Sequence, residues 1–218
     1  ELGGKSPNIV FDDATDMAQA AKVSAMGIYR NSGQVCVAGS RLIVQRGIAD
    51  ALMERLAQRF AALRPGATWD AQATLSPIIS APQAARILDI VERSRVAGAQ
   101  VRSGGGLFEG GPGGAYFQPT LLEGVSADNP AVQEEIFGPV LTMQTFDTEE
   151  EGLALAAHAH YGLAAGVHTA DIGRALRCMR GISAGTVWIN RYGRSADFVI
   201  PTGGYHQSGI GKDLGRQA

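Results

Sequence analysis

The sequence predicts an α/β protein, a mostly parallel twisted sheet with helices on both faces in three α/β/α layers. Short β-rich runs alternate with longer helical patterns along the whole chain, which is the signature of strands joined by helical crossovers. The 218 residues, 45% hydrophobic and 18% charged, suffice for one sizeable core. No internal repeat, heptad pattern or low-complexity linker interrupts the alternation.

The first strand is read in NIVF (8–11), and Asp12, Asp13 and Asp16 then offer N-caps to an Ala-rich helix. RLIVQ (41–45) is the second strand. The helix after it places Leu52, Leu56, Phe60 and Leu63 on one face before Pro65-Gly66 stops it. Residues 81–97 carry Ile87, Leu88, Ile90 and Val91 in a helical pattern, with a strand in AQVRSG behind them. A glycine-rich connection, GGGLFEGGPGGAYFQPTLLEGV, leads through an extended segment to the strand VLTMQTF. A short acidic-started helix, TEEEGLALAAHAH, is expected to end at His158 and His160. AAGVHTA, DIGRALRCMR and AGTVWIN complete the chain as strand, helix and strand. In such sheets functional residues are expected on loops at the carboxyl ends of strands.

The formal charge of −2 and pI near 6.1, with no Lys or Arg run, provide no basic field for nucleic acid. Apolar runs are too short to span a bilayer, and ELGGKSPNIVF lacks the regions of a signal peptide. Cys36 and Cys178 are far apart and in no CxxC pair, so neither a disulfide framework nor a thiolate metal site is expected; a reducing cytoplasm is the simplest compartment. The opening without Met, directly into a Gly-Gly turn, suggests a piece of a longer polypeptide.

Cys36 in NSGQVCVAGSR stands between a helix and a strand, with Gly33 and Gly39 three residues to either side. Glycines allow close approach of a ligand to backbone N–H groups that can hold an oxyanion, which suits a nucleophile. A free cysteine more often serves as a small buried hydrophobe, and local chemistry by itself leaves both readings open. Cys178, inside a helical pattern, reads as core. His158, His160, His168 and His206 show no spacing that marks a Cys/His enzyme. Glu1 beside LGG and Glu134-Glu135 before IFGPV decide nothing singly. GIGKDLG and GGGLFEGGPGG fit neither a dinucleotide fingerprint nor a P-loop.

In combination, ELGGKSPNIVFDDA, GQVCVAGSR, QEEIFGPVL and GGYHQSGIGKDLG occur in the order and approximate spacing of the aldehyde dehydrogenase superfamily. The resemblance covers almost the whole chain and implies a Rossmann-like catalytic domain, residues 1–218. The family's main dinucleotide-binding domain and its C-terminal oligomerisation strand would lie outside it. Carried over, it makes Cys36 the nucleophile that attacks the aldehyde carbonyl and Glu1 the base that activates water to hydrolyse the resulting thioester. Glu135 matches the residue that accepts from the nicotinamide ribose, Phe137 the aromatic beside it, and Leu2 and Gly3 backbone close to the nicotinamide of NAD or NADP. Tyr29, Val35 and Val37 would line the aldehyde pocket. PTGGYHQSG departs from the frequent PFGGYKQSG: Thr202 replaces a pocket-lining Phe, which would widen the pocket, and His206 replaces Lys. Asp197 is expected either on a substrate-access loop, meeting an amino group, or as a solvated carboxylate.

The resemblance implies oxidation of a small aldehyde to its acid by a full-length homo-oligomer, dimer or tetramer, with no nucleic-acid, membrane or metal partner. A cofactor-independent cysteine esterase or a non-catalytic assembly domain are the alternatives. The 218-residue chain by itself is expected not to bind NAD tightly, because orienting the cofactor needs the further domain. Calorimetric titration checks this, and micromolar affinity would contradict it.

Overall fold

The computed structural model describes residues 1–109, 114–193 and 199–216. Its elements are β1 (Pro7–Val10), α1 (Met17–Tyr29), β2 (Arg41–Gln45), α2 (Ala49–Ala61), α3 (Ala81–Val96), β3 (Gln100–Ser103), β4 (Thr120–Glu123), α4 (Pro130–Gln133), β5 (Val140–Phe146), α5 (Glu149–Ala156), β6 (Tyr161–Gly162), β7 (Ala164–His168), α6 (Ile172–Gly181), β8 (Thr186–Ile189) and β9 (Tyr205–His206). Seven strands form one sheet in the order β3-β4-β5-β2-β1-β7-β8; β6 and β9 pair separately. Every neighbouring pair in the large sheet is parallel except β3–β4. The expected α/β class and mostly parallel sheet are therefore what the chain adopts, with one antiparallel edge strand.

The central strands are apolar on both sides because both sides are covered. Val10, Leu42 and Val44 pack under α1 and α2 with Leu52, Leu56 and Phe60. Their neighbours Ile9 and Ile43 point to the other face, against Phe146, Ala156 and Cys178. A third cluster, centred on Ile87, Ile90 and Phe117, seats α3 over β4 and β5. Helix starts follow local chemistry: Asp16 accepts from Gln19 N at 2.9 Å, and Thr148 with Glu151 forms a reciprocal capping box. No helix among the described residues is long and apolar enough to cross a membrane.

Two expectations need correction. Helix α5 stops at Ala156, so His158 and His160 lie beyond it in the turn toward β6. Its carbonyls are taken by Arg41, the first residue of β2, which is 1% exposed. The guanidinium donates to Leu155 O (2.7 Å), Ala156 O (2.8 Å) and, back across the sheet, Lys5 O (2.9 Å). Burial pulls its pKa down to about 10, and helix-terminal carbonyls are suitable partners for a cation without a carboxylate.

The second correction concerns the working edge. The carboxyl ends of β1 and β7, where adjacent crossovers part to opposite faces, are filled by polar side chains. Asp13 accepts from Thr169 Oγ1 at 2.8 Å and pairs with Arg174 at 2.9 Å. The segments bearing Glu1, Cys36 and Glu135 instead precede β1, β2 and β5, at the amino ends of the strands.

Replacing Arg41 by Met should leave the carbonyls of Lys5, Leu155 and Ala156 unpaired and cost roughly 3–5 kcal/mol of folding stability. Urea unfolding measures this; an unchanged midpoint would show that Arg41 does not hold α5 to the sheet.

Candidate active site

The turn before β1 works through what its glycines lack. Gly3 has φ +94°, and the place a Cβ would take is occupied by the Glu135 carboxylate. The next amide, Gly4 N–H, donates to Glu135 Oε1 at 3.0 Å. A Cβ on Gly4 would stand 2.8 Å from the carbonyl oxygen of Cys36. The Gly-Gly pair thus lets two other loops close on the same stretch of backbone.

Cys36 is carried on the segment between α1 and β2. Asn31 and Ser32 turn the chain with φ of 50° and 52°; Asn31 Nδ2 donates to Gln34 O at 3.0 Å, and Ser32 Oγ donates to Ser76 O. Gly33, at φ +72°, sits against the backbone of Gly138 and Pro139 with no room for a side chain. Cys36 follows, half-buried, in a turn closed by Ala38 N to Val35 O at 2.9 Å.

The thiol donates to the Glu1 carboxylate. Burial pushes its pKa up, and the negative charge and acceptor of Glu1 push in the same direction, with Glu135 adding a smaller effect. The Val37 N–H opposes them by hydrogen bonding to the sulfur. The resting pair is therefore a protonated thiol beside a carboxylate.

Glu135 is raised as well, first by burial and then by Glu1, against the lowering by Gly4 N–H and the cations Lys5 and Arg86. Its segment is strung from α3: Arg86 donates to Glu135 O (2.9 Å) and Ile136 O (3.1 Å), and Gln83 to Ile136 O (3.0 Å) and Phe137 O (3.1 Å). These contacts hold Phe137 at φ +55° with its ring partly exposed. A cleft of about 460 Å³ opens here, lined by Gln83, Arg86, Glu135, Phe137 and Tyr161 among others. Among the described residues no group of three or more His, Cys, Asp or Glu could hold a metal ion.

The GGYHQSG motif packs against the turn that bears Glu1. Leu2 N donates to Ser208 O at 2.9 Å, and the buried Ser208 Oγ accepts from Gly162 N at 3.1 Å. Beside it Lys5 is 1% exposed, and burial together with Arg41 lowers its pKa to about 7.

The structure thus brings Glu1, Gly3, Cys36 and Glu135 together, with Val37 next to the thiol and Phe137 two residues from Glu135. Leu2 is 73% exposed. Tyr29 and Val35 pack against the α1/α2 core, and Thr202 pairs through its backbone with Asp213. Asp197 lies outside the described residues. His158 and His168 are held near pKa 4 mainly by burial, and His206 reaches Ser183 Oγ at 3.1 Å; none is recorded on the thiol. Sequence reasoning missed Gln83, Arg86, Arg41 and Tyr192. An Arg opening a buried strand was a signal for Arg41; helix-surface residues such as Gln83 and Arg86 offered none.

A thiol and two carboxylates thus converge at the amino ends of parallel strands in an α/β protein, with Glu135 at the rim of an open cleft. Comparison with known proteins makes the class definite. The profile of the aldehyde dehydrogenase family matches residues 1–218, and the chain belongs to that family. Aldehyde dehydrogenases of Emericella nidulans and Aspergillus niger are 43% and 42% identical to it over all 218 residues, which span 43% of each relative. Betaine aldehyde dehydrogenase from Staphylococcus aureus in complex with NAD+ superposes with a TM-score of 0.95 at 40% identity; it is matched over 100% of this chain and 43% of its own. An NAD-dependent aldehyde dehydrogenase from Sinorhizobium meliloti gives 0.95 at 42% identity, over 100% and 42% of the two chains. The chain therefore spans less than half the length of these relatives.

Glu1→Gln removes the charge that disfavours the thiolate, so the pH midpoint for alkylation of Cys36 by iodoacetamide should fall. A midpoint that stays or rises would mean that Glu1 does not govern the thiol.

Proposed function

We propose that this chain is the catalytic domain of a longer NAD(P)-dependent aldehyde dehydrogenase that oxidises an aldehyde to a carboxylic acid. The contact between the Cys36 thiol and the Glu1 carboxylate, across Gly3 from Glu135, carries the proposal.

Cys36 gives up its proton to solvent, the sulfur adds to the aldehyde carbon, and the carbonyl oxygen takes up a proton, giving a thiohemiacetal with Glu1 still ionised. Nicotinamide, when bound, supplies the acceptor for the hydride that leaves this carbon. Val37 N–H, already directed to the sulfur, keeps negative charge at that end of the site. Glu1 then takes a proton from the water that attacks the thioester carbonyl, so that acid is released and the thiol is regenerated. Its exposure to solvent gives that water access.

The residues of the cleft fit a nicotinamide ribose. Glu135 is a carboxylate with only one oxygen engaged by Gly4, leaving acceptor capacity for a diol. Phe137 presents a partly exposed ring beside it. Gly3, lacking a side chain, leaves the space that the Glu135 carboxylate occupies. The NAD+ complex of the S. aureus relative supports this assignment of the cofactor class.

A cytoplasmic homo-oligomer, dimer or tetramer, completes the proposal. Both cysteines are free, in keeping with a reducing compartment. Strand β8 pairs with β7 at the margin of the sheet, which leaves an edge for assembly. A small-molecule aldehyde is the substrate class; Thr202 in place of a larger aromatic would favour a roomier or more polar one.

In the full-length enzyme Cys36→Ser should abolish aldehyde-dependent reduction of NAD+ or NADP+, and turnover at the wild-type rate would remove Cys36 from the role. Glu1→Gln should retain a burst of reduced nucleotide while steady-state turnover falls by about a hundredfold or more, the usual scale for a lost general base. Equal loss of burst and steady state would place Glu1 elsewhere in the cycle.

A further inference from the structure

Tyr192 follows β8 but does not continue its direction. Asn190, at φ +54°, turns the chain, and the Tyr192 ring folds back over the sheet toward the segment that carries Cys36. Three glycines from three elements make room for it. A Cβ on Gly27 of α1 would lie 2.9 Å from the ring, one on Gly39 after the nucleophile 2.8 Å, and one on Gly166 of β7 2.5 Å. Trp188 closes the slot edge-on, with ring centroids 5.1 Å apart. The Ser6 side chain lies beside the phenol.

The buried hydroxyl donates to the carbonyl oxygen of Val37 at 2.9 Å. Val37 is the residue whose own N–H meets the Cys36 sulfur. One hydrogen bond therefore fixes, from the far side, the residue that presents a donor to the nucleophile. Burial raises the phenol pKa, so the group stays a donor throughout the working range.

We propose that Tyr192 is a positioning residue for the nucleophile: its hydroxyl, locked in a slot of three glycines, holds Val37 so that the Val37 N–H stays on the Cys36 sulfur. This rests on Cys36 being the reactive thiol, and it adds a residue that touches neither aldehyde nor cofactor. The titratable groups facing the thiol are Glu1, Glu135 and Tyr192 itself, and the carboxylates keep their places when only the phenol oxygen is removed.

The test uses the full-length enzyme and reads the thiol directly. Tyr192→Phe keeps the ring in the slot and removes the donor. Alkylation of Cys36 by iodoacetamide at neutral pH should slow roughly fivefold, the effect of losing one net hydrogen bond, and its pH midpoint should rise. Circular dichroism and thermal unfolding should stay close to wild type. A 4-aminophenylalanine variant at position 192 puts an N–H donor back in the same place and should recover the wild-type alkylation profile. A folded Tyr192→Phe enzyme with wild-type alkylation rate and midpoint overturns the proposal. If Tyr192→Phe does not fold, the amino variant decides: wild-type alkylation supports the role, and slow alkylation in a folded protein overturns it. Aldehyde oxidation by the wild-type enzyme is scored separately, so an inactive wild type with a Tyr192-dependent thiol would fault the assigned reaction and not the positioning.

Discussion

The guanidinium of Arg41 is the tie on which the arrangement depends. It sits at the start of β2, buried, and joins the last carbonyls of α5 to the carbonyl of Lys5. Lys5 ends the turn that bears Glu1, and Arg41 begins the strand that follows Cys36. A single side chain thus ties the turn that bears Glu1, and the start of the strand after Cys36, to the end of α5. A cation without a carboxylate partner is tolerable there because the dipole and unpaired carbonyls of a helix end supply its counter-charge.

The segments bearing Glu1, Cys36 and Glu135 lie at the amino ends of the strands. In many open α/β sheets the carboxyl edge holds the ligand. Here that edge, between β1 and β7, is filled by Asp13, Thr169 and Arg174, with Thr169 donating to Asp13 and Arg174 ion-paired to it. The amino edge, by contrast, is where glycine-bearing turns press together. Gly3 against Glu135, Gly4 against Cys36 and Gly33 against Gly138 are contacts that any side chain would push apart.

The fold was largely legible because its signals are local. RLIVQ and VLTMQTF read as strands from composition, and the caps at Asp16 and Thr148 mark helix starts that the structure uses. The end of α5 was misread because it is set by Arg41, more than a hundred residues away, and no local breaker stands at Ala156. The candidate residues lie at the other end of the strands from the one a general rule of strand polarity points to, for a related reason: such a rule carries no information on which end is already filled. Cys36, Glu1 and Glu135 were individually visible, yet their convergence depends on glycines meeting across loops, and such contacts leave no periodicity. Tyr192 was hidden for the same reason, since a Tyr after a strand gives no hint of the slot that receives it.

The glycine contacts have a consequence for how such a site can change. Where the shape of a reactive centre is stored in missing side chains, there is little at those positions for substitution to vary by degrees. Even one added methyl group at Gly3 or Gly33 meets an occupied space. The thiol and its carboxylates therefore form a unit whose shape tolerates no added side chain at these glycines. Change by small steps is left to residues such as Thr202, which contribute side chains and not gaps.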